Sequence, residues 1–409
     1  MLDCGGTAAP QGRLRVISVD EALALLEDAV APLAGVEIPL AEGAGRVLAA
    51  PLIARSTYPR TATAAMDGYA VTDAATRPGT VLRVIGEARA GASFANPVRP
   101  GEAVRIFTGA PMPAGTDRCI MQEYASREGD DVCFADGYGP GWHVRAAGSD
   151  ICEGDILLPA GTRLTPRAMI AAAAADRASV TVSARPSVAI IGTGDELATP
   201  GMAHLREDAI PESVTFGVAA MAEREGGRVV ARMIGQDSLP ALERLAGEML
   251  QQADVVIVTG GASVGERDFA KPMFAPHGLE LLFSKVALKP GKPVWLGRAK
   301  GKWVLGLPGN PTSAMVTARL FLVPLLAGLQ GQCVRETLPW RTIPLAAGIP
   351  ATGDRETFLR AHWGEAGLEP ITNQDSGAQA ALARADWLIR RPSGSSAAEA
   401  GDPVIALDF

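Results

Sequence analysis

The chain reads as a multidomain protein, α/β in its centre and β on either side, and three observations predict this. Its 409 residues exceed what one ordinary hydrophobic core holds. Between about residues 187 and 328, short apolar runs alternate with helix-period segments, as in a βαβ domain. Outside that stretch, many of the 46 glycines and 30 prolines punctuate short alternating runs, the pattern of β structure rich in turns.

Taken in order, residues 1 to about 15 read as a leader without regular structure. Ser18 and Glu21 form a capping-box pattern that opens an amphipathic helix running to about Pro32. Residues 36–47 are extended, with a bend at Gly43 and Gly45. Short alternating runs at 81–85, 103–107 and 119–123 define a small β domain, residues 154–164 resemble a hairpin, and 166–175 is an alanine-rich helix. The flanking helices make the β domain (55–144) an insertion into a first domain of two segments, 15–54 and 145–184.

Arg185 and Pro186 mark the next boundary, opening an α/β domain over 185–330. Strands are predicted at 187–191, 228–234, 254–258, near 281–287, 293–297 and 302–307, and helices at 213–225, 239–253, 268–276 and 312–328. Residues 331–409 return to β, with strands at 340–345, 357–363, 368–371, 387–390 and 402–407 and turn signals about every ten residues, a small barrel or sandwich.

Composition excludes several classes. A net charge of −7 advertises neither nucleic acid nor an anionic membrane surface. Five scattered cysteines (Cys4, Cys119, Cys133, Cys152, Cys333) contain no C-x-x-C, so neither a zinc site nor a disulfide framework is expected. The N-terminus lacks an apolar h-region, and the most apolar helical stretches, 168–175 and 314–329, read as too short or too interrupted for a span of ~20 residues. The expectation is a soluble cytoplasmic protein.

The chemistry centres on residues 254–269, DVVIVTGGASVGERDF. A doubly buried strand feeds Thr259, Gly260, Gly261, Ser263 and Gly265, a loop whose backbone N–H groups can approach an anion, with Asp268 just beyond it. It is neither a Walker loop nor a G-x-G-x-x-G fingerprint. Two further strands end the same way. Residues 188–191 run into GTGDEL (192–197), and 303–307 run into LPGNP (307–311). In an open α/β sheet such loops gather at one edge and form a composite site. In the β domain, Asp67 of AMDGYAV and Thr108 of RIFTGAPMP follow no secondary-structure rule. Turn formation and a polar site are both compatible with them.

The set AMDGYAV (65–71), RIFTGAPMPAGTD (105–117), GTGDEL, TGGASVGERDF (259–269), KPGKP (289–293) and GLPGNPTSA (306–314), in this order, resembles the molybdopterin molybdenumtransferase family, which includes the bacterial MoeA type and the gephyrin E domain. The resemblance covers the chain from about residue 15 onward. It implies an elongated dimer with a central three-layer αβα domain like the molybdopterin-adenylyltransferase fold, the inserted β domain and a C-terminal β barrel. It also implies adenylylated molybdopterin and molybdate as substrates, AMP release, and Mg²⁺ as cofactor. The partners it implies are the adenylyltransferase and recipient apo-molybdoenzymes.

The resemblance further places Glu196 and Asp268 as metal or catalytic carboxylates, with Asp237 as a third ligand. Lys285 and Lys289, with Lys292 nearby, stand near molybdate and phosphate, and Asp67 with Thr108 reaches the cleft from the partner subunit. Gly192, Thr193 and Gly194, the 259–265 loop, and Pro308, Gly309, Asn310 and Ser376 hold the ligand, and Asp150 matches the family's R-x-x-G-x-D acid. Arg355 and Arg360 either hold a terminal phosphate or build the barrel.

Departures accompany the match. Glu212, Ser213 and Val214 stand where the family has Asp-Ser-Asn, and Gln236 replaces a family aspartate beside Asp237. Two other readings stay open at this point: a non-catalytic carrier or scaffold for the cofactor, and a molybdopterin adenylyltransferase.

Overall fold

Where Ser18 and Glu21 announce a helix, the computed structural model, which describes residues 15–260 and 268–409, forms α1 (Val19–Ala29). The Glu21 N–H donates to Ser18 Oγ (3.1 Å) and the Ser18 N–H to Glu21 Oε2 (2.8 Å), closing the capping box. Its buried stripe, Val19, Ala22, Leu23 and Leu26, packs into the core of the α/β domain.

Gly35–Pro39 pairs antiparallel with Ser179–Ser183, so the first domain is stitched from distant segments. The expected hairpin over 154–164 does not fold on itself. Ile156–Leu158 pairs with Leu52–Ile53, and Arg163 bridges Val47. The turn residues Pro159 and Gly161 bend the chain as read, but the strand's partner lies about a hundred residues upstream. α2 (Pro166–Ala174) starts at an N-cap, Thr165, whose hydroxyl accepts from the Ala168 N–H. Between the segments stands a six-stranded sheet that contains Gly68–Val71, the strand after Asp67, flanked by Glu102–Ile106 and Arg118–Met121.

The central sheet follows from apolar runs that are buried on both faces. In chain order its strands are β1 (Ser187–Thr193), β2 (Arg228–Gly235), β3 (Val255–Thr259), β4 (Glu280–Phe283), β5 (Trp295–Ala299) and β6 (Lys302–Leu307). They lie side by side as β2, β1, β3, β6, β5, β4, the first four mutually parallel and β5 antiparallel to both of its neighbours. Alternate residues feed opposite layers. Val188, Ile190, Val255 and Ile257 face one core, and Ala189, Ile191, Val256 and Val258 face the other. α3 (Val214–Arg224) covers the first face and α4 (Leu239–Gln252) the second. Asp254 ties three strand starts together, accepting from Ser187 N–H (3.0 Å), Ser187 Oγ (2.6 Å) and Lys302 Nζ (2.9 Å).

One predicted helix comes out differently. Residues 268–276 form a 3₁₀ turn at Pro272–His277 rather than an α-helix. The helix predicted at 312–328 forms as Pro311–Leu329, one 19-residue helical element, α5, with mean hydropathy 1.6; its stretch 314–329 reads as too interrupted for a membrane span, yet the element is long and apolar enough by length and composition. It is instead 94% buried within the fold and forms its core. Arg319, within this helix, is buried. Its guanidinium donates to Asp408 O (3.0 Å), Asp408 Oδ1 (2.9 Å) and Thr337 O (3.1 Å). A π-helical turn, Ala318–Leu322, leads into Pro324 and absorbs the register break proline imposes.

The C-terminal strands run side by side as Arg341–Pro344, Pro403–Asp408, Trp387–Arg391, Glu356–Gly364 and Gly367–Pro370. A bridge between Leu345 and Leu368 joins the two ends of this row into a ring.

Replacing Leu326, fully buried in α5, by Ala is expected to destabilise the protein by about 2–5 kcal/mol, the cost of a core cavity. Urea unfolding of the variant measures it. A loss under about 0.5 kcal/mol, the scale of an exposed position, would contradict the packing of this helix.

Candidate functional site

Thr193, Thr259 and Leu307 end three adjacent parallel strands, and the strand order reverses between β1 and β3, the switch point at which open sheets leave a crevice. The loops meet closely enough to require glycine. Gly260 adopts φ +95°, and a Cβ there would lie 2.6 Å from Thr193 O. A Cβ on Gly309 would stand 3.3 Å from Gly260 Cα. The Thr193 hydroxyl donates to Thr259 O (3.2 Å) and the Gly260 N–H to Leu307 O (3.3 Å), fixing the rim.

Over this rim lies a cleft of about 600 Å³. Thr193, Glu196, Thr259, Gly260, Pro308, Gly309 and Asn310, all expected from the sequence, line it together. The opposite wall carries Glu212 and Val214, and the C-terminal domain contributes Gly377. Gly192 and Gly194 sit beneath. Gly192 leaves room for Thr215 Cγ2, and Gly194, at φ +145°, lets the Glu196 carboxylate fold back over it, within 2.6 Å of where a Cβ would stand.

Ser376 joins this site through the neighbouring domain. Asn310 Nδ2 donates to Ser376 Oγ (2.9 Å) and the Thr312 N–H to Ser376 O (3.0 Å). Of the two roles left open for Arg360, the structure favours construction. The residue is 1% exposed, and its guanidinium donates to Asn373 O (2.9 Å), Asp375 O (2.9 Å) and Ala378 O (3.2 Å), bracing the loop that carries Ser376. Gln374 completes the brace, accepting the Arg360 N–H (3.0 Å) and donating to Arg360 O (2.8 Å).

The remaining expected residues lie elsewhere. Asp67 and Thr108 meet each other in the β domain, where Asp67 Oδ1 accepts both the Thr108 N–H (2.8 Å) and its hydroxyl (2.7 Å). These two donors, the backbone one foremost, hold the Asp67 carboxyl below its ordinary range, with Arg105 assisting against slight desolvation. The pair does not line this chain's own cleft. Asp237 lines a different hollow, with Gly194, Asp195 and Gln236, and its N–H donates to Asp195 Oδ1 (3.0 Å). Lys285, Lys289 and Lys292 are exposed. The KPGKP loop meets the cleft at Pro293. Gly261, Ser263 and Gly265 lie outside the described residues. Among the described residues no three His, Cys, Asp or Glu side chains gather as a metal-binding set.

Sequence reasoning missed two groups. Glu212 is a buried carboxylate in the cleft wall, and it accepts the Thr215 N–H (2.8 Å) and hydroxyl, capping α3 in place of Ser213. Its three-residue spacing to Thr215 was the available signal. Lys271 is half-buried, with its ammonium 5.7 Å from the centre of the Trp295 ring. Burial lowers its pKa, Lys285 pushes the same way and Asp268 opposes. Burial likewise raises Asp268, against the attraction of Lys271 and a hydrogen bond from Ala270. Asp268, Lys271 and Lys285 thus form one electrostatic group.

Three packed loops at a sheet switch point, joined at their cleft by residues of the C-terminal strand ring, define a multidomain α/β protein with a ligand-sized cleft between loops and domains. Comparison with known families makes this specific. The chain matches the MoeA N-terminal region (domains I and II) over 17–175, the probable molybdopterin-binding domain over 189–328 and the MoeA C-terminal region (domain IV) over 342–409. It belongs to the MoeA family of molybdopterin molybdenumtransferases.

Curated relatives of that name include one from Haemophilus influenzae, 35% identical over 319 residues (78% of each chain). Another, from a Nostoc species, is 32% identical and covers 89% of this chain and 86% of its own. A crystal structure of the molybdopterin biosynthesis MoeA protein from Pyrococcus horikoshii OT3 superposes with TM-score 0.84 at 26% identity, covering 97% of this chain and all of that one.

Thr108→Val, which keeps the backbone donor and removes the hydroxyl, is expected to raise the Asp67 pKa toward the ordinary carboxyl value. Because the folded pKa is the depressed one, the stability this contact contributes is present above the unfolded pKa and fades as pH falls through the folded one. Carboxyl-carbon NMR titration reads the shift, and an unchanged Asp67 curve would contradict the contact.

Proposed function

We propose that the protein inserts molybdenum from molybdate into molybdopterin, taking adenylylated molybdopterin as substrate and releasing AMP. One observation carries this reading: the seven-residue lining of the cleft, where loops from three adjacent strands and a wall from the C-terminal domain surround a volume suited to a small anionic ligand. The bare backbone at Gly260 and Gly309 sits where it can approach phosphate closely, and Glu196 supplies a carboxylate at the same rim. The presence of all three MoeA regions, rather than the central one alone, weighs against the adenylyltransferase reading.

Mg²⁺ would enter as a substrate-carried ion, with Glu196 as the carboxylate at the cleft. A small hard cation keeps several waters and needs only one or two protein carboxylates beside substrate phosphates, so the lack of a three-carboxylate group among the described residues is compatible with it. Glu196 and Asp268 are the ligands that reading assigns, and the ion would neutralise charge on the phosphates. Lys285 and Lys289 would stabilise anionic oxygens of molybdate and phosphate, with Lys271 adding positive charge beside Asp268. The Asp67–Thr108 pair forms a complete, ionised acceptor outside this chain's own cleft, which supports a homodimer in which each pair serves the other subunit.

Purified protein given adenylylated molybdopterin, Mg²⁺ and molybdate is expected to release AMP in a molybdate-dependent way and to yield cofactor that activates an apo-molybdoenzyme. Tight pterin binding without turnover would overturn the enzymatic reading in favour of a carrier. In the same assay Asp268→Asn is expected to lower the rate at least a hundredfold, the order of losing one charged group at a transition state, while pterin binding persists. Full activity in that variant would remove Asp268 from the mechanism.

A further inference from the structure

The β domain that carries Asp67 and Thr108 also holds an arginine that ties together the two strands leading to them. Arg105 lies in the strand Glu102–Ile106, directly across from Tyr69 of the strand Gly68–Val71. Asp67 immediately precedes the second of these strands, and Thr108 stands two residues beyond the first. The guanidinium carbon lies 5.2 Å from the centre of the Tyr69 ring and 4.7 Å from that of Phe107. One cation is therefore held by the residue two after Asp67 and by the residue just before Thr108.

The backbone around Asp67 is pinned at three consecutive carbonyls. Met66 O accepts from the buried Cys119 thiol (3.3 Å), Asp67 O from the Gln122 N–H (3.1 Å) and Gly68 O from Arg105 Nη1 (2.9 Å). Burial pushes the Cys119 pKa up to about 11, so the thiol stays protonated and remains a donor. Arg105 Nη2 donates to Gln122 Oε1 as well, so Arg105 reaches two of the three pins, one directly and one through Gln122. Two carboxylates that share a hollow with Arg105 are engaged elsewhere. Glu87 pairs with Arg89, and Glu102 accepts the Arg99 N–H (2.8 Å). The charge of Arg105 acts on Asp67, whose carboxylate it helps to keep ionised.

We infer that Arg105 is a positioning residue for the Asp67–Thr108 pair, acting through the pair rather than on the substrate: it fixes the corner from which Asp67 presents its carboxylate. The inference rests on the function proposed above, in which that pair serves the other subunit's cleft. A group that acts across a subunit boundary needs a rigid base, because a misplacement of about 1 Å costs on the order of a hundredfold in rate. Lysine at this position would supply the charge but not the two-pronged contact with Gly68 O and Gln122, nor a planar cation to lie against the rings.

The test is a double-mutant cycle in the molybdate-dependent AMP-release assay, using the full chain with Arg105→Met, Arg105→Lys, Asp67→Asn and their combinations, each checked for folding by circular dichroism. Arg105→Met is expected to lower kcat at least tenfold, with KM for adenylylated molybdopterin within about twofold of wild type. Arg105→Lys, which restores the charge without the fork, is expected to recover part of that loss. On the Asp67→Asn background either substitution is expected to cost less than a further twofold, since the residue it acts through is already gone. Wild-type kcat in Arg105→Met, full activity in Asp67→Asn, or an equal tenfold loss with and without Asp67 would each overturn the inference, the last because it marks a general brace of the domain. Should Arg105→Met fail to fold, Arg105→Lys runs the same cycle. The parent reading fails separately, through a wild type that releases no AMP. Carboxyl-carbon NMR then decides for Arg105: an Asp67 titration moved upward in Arg105→Met keeps the positioning role, and an unmoved one removes it.

Discussion

The contact on which the site depends is the approach of three backbones, Thr193 to Gly260 and Gly260 to Gly309, at the ends of three parallel strands. Parallel pairing puts all three carboxyl ends at one edge, and glycine lets them close to distances a side chain would forbid. The cleft, its threonine hydroxyls and its accessible amides are consequences of that closure. The apolar strands behind it supply rigidity, since both faces of β1 and β3 are buried under helices.

The architecture was legible where local signals coincide with global ones. The capping box at Ser18 and Glu21, the apolar runs of the central strands and the loops that follow them needed no tertiary knowledge, and seven of the expected ligand-binding residues line one cleft. The failures were long-range. Residues 154–164 carry turn residues that specify a bend but not a partner, and Ile156–Leu158 pairs with Leu52–Ile53. The stretch 314–329 reads as too interrupted to span a membrane, yet the helix that carries it is long and apolar enough by length and composition. An ion pair from the buried Arg319 to the exposed Asp408 and a π turn before Pro324 accompany its packing as core, and neither is visible in a window of sequence.

In the site, type was easier to read than place. Arg360 was recognised as a notable cation, yet its burial and its three carbonyl partners turn it from a phosphate ligand into a brace. Asp67 and Thr108, 41 residues apart, form a hydrogen-bonded pair that no spacing rule announces. Asp237, with Asp195 and Gln236, lines a hollow of its own that shares Leu197 but not Glu196 with the cleft. Glu212, seen first as a departure from a motif, is a helix cap in the cleft wall.

The hydrogen bonds from Asn310 and Thr312 to Ser376 make the C-terminal ring part of the cleft's wall rather than an appendage. A ligand seated there spans two folding units, so its binding free energy is shared by both and opposes their separation. Truncation near Gly331 would therefore remove more than a β module. It would leave the central domain with an open-sided groove, unable to enclose what the intact chain holds.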